Sequence, residues 1–209
     1  MDRRTTIKWV LAAGAAWPLA KVDRARAAEI SSAPAEARGY GTDPTLLKTY
    51  RPGELWPLTL NQQQRQLASV LADIIIPADE HSPSASSVGV VEFIDEWVSA
   101  PYPAHQHDRT TVVEGFAWLD AQAARRGGKA FTDLDESNRQ LICETICDPL
   151  RAVAERMDAA KFFSRYRDLT AGAFYSTPVG RNDLHFIGNV ALARFDGPPQ
   201  ELLKRLGLP

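Results

Sequence analysis

Apolar residues in this chain recur at helical rather than strand spacing. Leu60, Leu67, Val70, Leu71, Ile74 and Ile75 fall at intervals of three, four and seven, which puts them on one stripe of an α-helix. Thr59 and Gln62 read as a capping box for that helix, the hydroxyl accepting from the Gln62 amide while the Gln side chain reaches back. Pro77 ends it, because proline has no N–H to give and pushes Ile76 out of the α region. After a loop at 78–86 the period resumes: Val90, Phe93, Ile94 and Trp97 share a face, with Glu92, Asp95 and Glu96 turned to the other side. Three more helical patterns follow. Over 105–126, Val112, Phe116, Leu119 and Ala123 line one face and Gly127 and Gly128 stop the helix. Asp135 is a natural N-cap for 136–147, where Ile142 and Ile146 face inward. Over 158–176, Phe162, Tyr166, Leu169 and Ala173 form a stripe that Phe163, Thr170 and Phe174 widen, and Pro178 closes it. A short helix is expected near 199–206. No stretch alternates with period two. The expected fold is therefore all-α: a single irregular bundle of about five main helices over 58–209, preceded by an extended N-terminal arm over 28–57.

That arm shows no sustained period, and Pro34, Gly39, Gly41, Pro44, Pro52, Gly53 and Pro57 interrupt it. It reads either as a flexible leader or as an extended arm laid on a partner, with Tyr40, Leu46, Leu47, Tyr50, Leu55 and Trp56 as anchors. Ahead of it, residues 1–27 read as an address. Arg3 and Arg4, followed by Thr5, Thr6, Ile7 and Lys8, resemble a twin-arginine signal. The apolar run from Trp9 to Ala20 is about a dozen residues, short of the roughly 20 that span a bilayer. Ala25 and Ala27 supply the small residues for cleavage before Ala28.

Setting the signal aside changes the charge. The whole chain has 24 basic and 26 acidic residues; without the six basic and two acidic residues of 1–27 it has 18 and 24, a net charge of −6. A nucleic-acid partner, which needs a basic face, is not expected. The remaining 182 residues suit one domain with a sizeable core.

Candidate chemistry is sparse. There is no GxGxxG after a strand, no GxxxxGK[ST] and no CxxCH, so no dinucleotide, phosphate or covalent-haem site is legible. Cys143 and Cys147, the only cysteines, stand four apart on one expected helix with no local histidine to complete a metal site. Buried thiols and a disulfide to a partner chain are the two readings left. His81, His105, His107 and His185 are scattered; His105 and His107, two apart on a helix, point to different faces. Asp79 and Glu80 read as an acid/base pair or, with Asp79 bonding backbone amides, as a turn cap. No catalytic, cofactor-binding or metal-ligating residue is assigned.

The stretch LADIIIPADEHSPSASSVGVVEFIDEW resembles the gluconate 2-dehydrogenase subunit 3 family, and the resemblance continues through GFAWLDAQAARRGGKAFTDLD and FFSRYRDLTAGAFYSTPVG. It implies a small noncatalytic subunit that binds no cofactor itself. Its partner would be a flavoprotein dehydrogenase of the glucose-methanol-choline (GMC) type carrying FAD, with a cytochrome c subunit bearing haem c as a further member. It also implies a role in maturing that partner and, with the signal, export to the periplasm by the twin-arginine translocase. The partner interface is expected on the leader, the 78–86 loop and the C-terminal segment, with Tyr40, Tyr50, Trp56, Pro77, Asp79, Pro83, Tyr102 and Tyr175 on it. A free-standing periplasmic enzyme or metal-binding protein, using the histidines and the acidic loop, is the competing reading.

Overall fold

In a computed structural model of the chain, the residues described are 49–186, 188, 191, 194 and 197–208. Residues 1–48, and with them Arg3, Arg4, Ile7, Lys8, Ala25, Ala27 and Tyr40, lie outside the described residues.

The first helix, α1, spans Gln62–Ile75. Its N-cap is Asn61 and not Thr59: Asn61 Oδ1 accepts from the Gln64 N–H at 2.9 Å and Gln64 Oε1 accepts from the Asn61 N–H at 2.9 Å, a capping box two residues later than expected. The reason is tertiary. Thr59 is bonded to Ser99, its N–H donating to Oγ at 2.9 Å and the two hydroxyls meeting at 2.8 Å. Leu60 enters the core ahead of the first turn. Leu67, Ala68, Leu71, Ala72 and Ile75 form the buried stripe.

Helix α2, Val90–Ser99, begins at Gly89, whose φ of +86° is a left-handed conformation that suits glycine. The expected stripe is rotated. Val90, Val91, Ile94 and Val98 are buried, together with Asp95 and Glu96, while Phe93 is exposed and Trp97 is half-buried. Asp95 turns inward because it collects donors from the segment leading into α1. Oδ1 accepts from the N–H of Leu60 at 3.1 Å and from Ser99 Oγ at 3.2 Å, and Oδ2 pairs with Arg65 at 2.6 Å. Glu96 does the same further upstream: Oε2 accepts from the Gly53 N–H at 2.7 Å, and its carbonyl accepts from Trp56 Nε1 at 3.0 Å. A buried carboxylate is tolerated only when its lone pairs are met. Asp95→Asn, which keeps the shape and loses the charge that Arg65 faces, is expected to destabilise the chain by about 1.5–3 kcal/mol, read as a shift of the urea midpoint; an unchanged midpoint would refute this role.

Helix α3, Pro103–Arg125, starts two residues before the expected 105, with proline at its first position, where no N–H is needed. It ends in a Schellman motif: the Gly128 N–H donates to the Ala123 carbonyl at 3.0 Å and the Gly127 N–H to that of Ala124 at 3.2 Å, with Gly127 at φ +82°. Helix α4, Glu136–Glu144, is capped by Asp135 as expected, Oδ1 accepting from the Asn138 N–H at 2.8 Å. It stops three residues short of Cys147, which therefore lies off the helix.

Helix α5, Met157–Ser176, is the central element, packed against α1, α2 and, most extensively, α3. Phe116, Phe162 and Tyr166 meet edge-on or tilted at 5.6–6.0 Å in the core, an arrangement that favours aromatic pairs. Pro178, expected only to terminate α5, also opens α6, Pro178–Asp183: Thr177 Oγ1 accepts from the Gly180 N–H at 3.0 Å, and proline takes the first helical position. Helix α7, Gln200–Leu206, forms where a short helix was expected and buries none of its residues. The described residues are all-α, with no strand.

Candidate functional site

Two places gather polar chemistry. At the first, α2, α3 and α5 meet around Asp108. Arg165 grips its carboxylate with Nε at 2.7 Å and Nη2 at 2.6 Å, and Trp97 Nε1 donates to Oδ2 at 2.8 Å. Burial alone would raise the Asp108 pKa, but the hydrogen bonds from Arg165 and Trp97 and the guanidinium charge outweigh it and hold the carboxyl below its usual range. Arg165 is held protonated by the same contact. The His105 ring lies 4.2 Å from that of Trp97 and 5.4 Å from that of Tyr102, centre to centre, and burial lowers its pKa. A groove of about 630 Å³ opens beside this cluster between α3 and α5, floored by Gly115 and Phe162 and flanked by Trp118, Glu114 and Lys161. An ionised aspartate saturated by a bidentate arginine and an indole is a poor general base. The cluster locks three helices together.

The second place is the connection between α1 and α2. Asp79 caps its turn, Oδ1 accepting from the N–H groups of His81 at 2.8 Å and Ser82 at 2.9 Å. The Asp73 carboxylate takes the Ser86 N–H at 2.8 Å and hydroxyl at 2.7 Å. Ser82 Oγ donates to Asp183 at 3.2 Å, which ties the loop to α6. The loop is thus tied down by hydrogen bonds from short polar side chains.

A family model described as gluconate 2-dehydrogenase subunit 3 matches residues 62–193. The chain belongs to that family. The match runs from α1 through α6 and takes in both places just described. Neither a curated protein nor a solved structure matches the chain. Members of the gluconate 2-dehydrogenase subunit 3 family are, by that description, subunits of a dehydrogenase complex, so partner subunits are implied.

Of the expected interface residues, Tyr40 lies outside the described residues, and the others are distributed over the segment leading into α1, the α1–α2 loop, the start of α3 and the end of α5. Pro77, Asp79 and Pro83 share the α1–α2 loop, the last two exposed. Tyr102 and Tyr175 are half-buried. Trp56, expected as an anchor on a partner, is instead buried within this chain, its ring 5.9 Å from Tyr102 in an edge contact and its N–H bonded to Glu96. The aromatics are thus largely absorbed by the bundle. Large exposed apolar side chains lie elsewhere: Leu141, Leu150 and Val153 around the α4–α5 connection, and Leu184, Phe186, Leu202, Leu206 and Leu208 toward the C-terminus. Cys143 is buried, its thiol pushed up to about 12 by burial, and Cys147 is half-buried; both are free. Among the described residues no group of three or more His, Cys, Asp or Glu side chains is arranged to hold a metal ion.

Proposed function

We infer that this chain is the noncatalytic small subunit of a periplasmic FAD-dependent sugar or alcohol dehydrogenase of the GMC type, binding the flavoprotein subunit and supporting its maturation and twin-arginine export. The family match over 62–193 carries the reading. The twin arginines at Arg3 and Arg4 support the export route, and the exposed leucines of the α4–α5 connection and of the C-terminal segment support an interface, since such side chains mark surfaces that another protein covers. FAD belongs on the large subunit in this reading, haem c on a cytochrome c subunit, and neither on this chain.

Coexpression with the flavoprotein tests it. The two chains are expected to migrate together on size exclusion at micromolar concentration, with the flavin spectrum following the large chain when they are separated. Separate migration, or a flavin that copurifies with this chain alone, would overturn the reading.

A further inference from the structure

Arg167 is, among the described residues, the largest fully buried side chain, 1 % exposed, on the helix at the centre of the bundle. Its hydrogen bonds are long, 3.4 Å from Nη1 to the Cys147 carbonyl and 3.3 Å from Nη2 to Ser164 Oγ, and its Nε has no partner. Among the described residues no carboxylate lies within ion-pair distance of it; the counter-charge it does feel, Asp168, is the next residue on α5 and turns to the exposed side. The contrast is with Arg65 and Arg165, each of which closes on a carboxylate at 2.6 Å. A guanidinium withdrawn from water without a counter-ion is a costly arrangement, and one that a carboxylate relieves.

The carbonyl that Arg167 reaches opens the α4–α5 connection. Beyond Cys147, the hydrogen bonds of this segment stay within it and the turn that follows: Leu150 N–H to Asp148 Oδ1 at 2.9 Å, Arg151 N–H to the Asp148 carbonyl at 3.1 Å, and Arg156 N–H to the Val153 carbonyl at 2.9 Å. The segment meets the core through the long Arg167 bond to the Cys147 carbonyl and the packing of Cys147 and Ala152. It also presents Leu150, 78 % exposed, and Val153, with Leu141 beside them in sequence on α4. A buried cation with no paired carboxylate, bonded to the start of a connection that carries exposed apolar side chains, fits an apolar segment that carries an acid.

We propose that the α4–α5 connection is a docking surface for the larger subunit of the complex, which brings an Asp or Glu carboxylate onto Arg167 in place of the Cys147 carbonyl while its apolar side chains cover Leu150 and Val153. This rests on the functional reading above. The carboxylate completes the bidentate pairing that guanidinium favours in a dry interface, and it charges the free chain with a defect that only the complex repairs.

The test uses the full chain, alone and coexpressed with the flavoprotein subunit. Arg167→Met exchanges the unpaired charge for an apolar side chain of similar length, so the isolated chain is expected to melt at or above the wild-type temperature. Its affinity for the large subunit is expected to fall by at least about 30-fold, because the partner's carboxylate is left buried and unpaired. Leu150→Glu, at an exposed position, is expected to keep the wild-type melting temperature and to weaken the same complex about tenfold or more. A lower melting temperature for Arg167→Met would mean that the guanidinium is already satisfied inside the chain, by ordered water for example, and would overturn the proposal. So would wild-type affinity in either variant. If the wild-type chain itself fails to bind the large subunit, the functional reading falls first, a result that the binding of wild type and variants side by side makes plain.

Discussion

Changing Arg3 and Arg4 to lysine is expected to leave both this chain and its flavoprotein partner in the cytoplasm, with nearly all periplasmic dehydrogenase activity lost. The argument begins with the cofactor. A flavoprotein takes up FAD as it folds, so a partner that acquires FAD in the cytoplasm must leave folded, and the twin-arginine route accepts folded cargo. If the large subunit lacks a signal, the paired arginines here serve both proteins. The contact between them must then survive transit, which favours apolar surface over exposed ion pairs worth about 0–1 kcal/mol each. Fractionation followed by activity and immunoblot measurements reads the outcome. A double-lysine variant that is still processed, with its partner active in the periplasm, would refute the proposed export. A signal fused directly to the large subunit is expected to restore its location.

Gly115→Leu is expected to abolish the cooperative unfolding transition altogether. Gly115 sits where α3 crosses α5: a Cβ added there would lie 2.0 Å from Phe162 Cγ and 2.1 and 2.4 Å from its Cδ atoms. Away from the groove the Phe162 ring is backed by Phe116 and Tyr166, and Tyr166 is itself pinned by its hydroxyl donating to the Ala68 carbonyl at 2.8 Å, so relief requires the ring to turn out toward the groove and give up its core contacts. Otherwise even one methyl must separate the two most extensively packed helices of the bundle. Overpacking of this kind costs about 1–3 kcal/mol when neighbours can yield, and more when they cannot. Gly115→Ala is therefore expected to lose about 3 kcal/mol, a fall of roughly 6–12 °C in melting temperature for a chain of this size. Combining it with Phe162→Leu, which vacates the space, is expected to recover part of that loss. A melting curve for Gly115→Ala that overlays the wild type would show that the crossing is looser than described.

The elements legible in the sequence are those whose stabilising contacts are local or strictly periodic. The stripes of 105–126 and 158–176 are the buried faces of α3 and α5, and Asp135 caps α4, because a 3.6-residue period and an N-cap are encoded within a few residues. The misreadings have distant causes. The face that α2 presents is set by Gly53, Thr59 and Leu60, 35–43 residues away, which need the carboxylates of Asp95 and Glu96; nothing within the helix encodes that. Asn61 displaced Thr59 as cap for the same reason, since Thr59 is engaged by Ser99. Proline carries two meanings, stop and first position, and at Pro178 both apply. The site was harder still. Asp79 was readable as a turn cap, but the burial of Trp56 and of Arg167 follows from packing partners 40 and 20 residues distant. A charged residue amid the apolar positions of 158–176 was the one available signal for Arg167, and helical patterns assign such residues to the outer face by default.

The bonds from Gly53 and Trp56 to Glu96 also decide how the body responds to force. Within the described residues, tension entering at Thr49 reaches the Gly53 amide and the Trp56 indole before it reaches α1. The load passes to the end of α2 that bears Asp95 and Glu96, then through Val90, Ile94 and Val98 into the core. Helix α1, although it comes first in sequence, is sheltered from that tension. The chain would be towed by its second helix, with the first riding behind it.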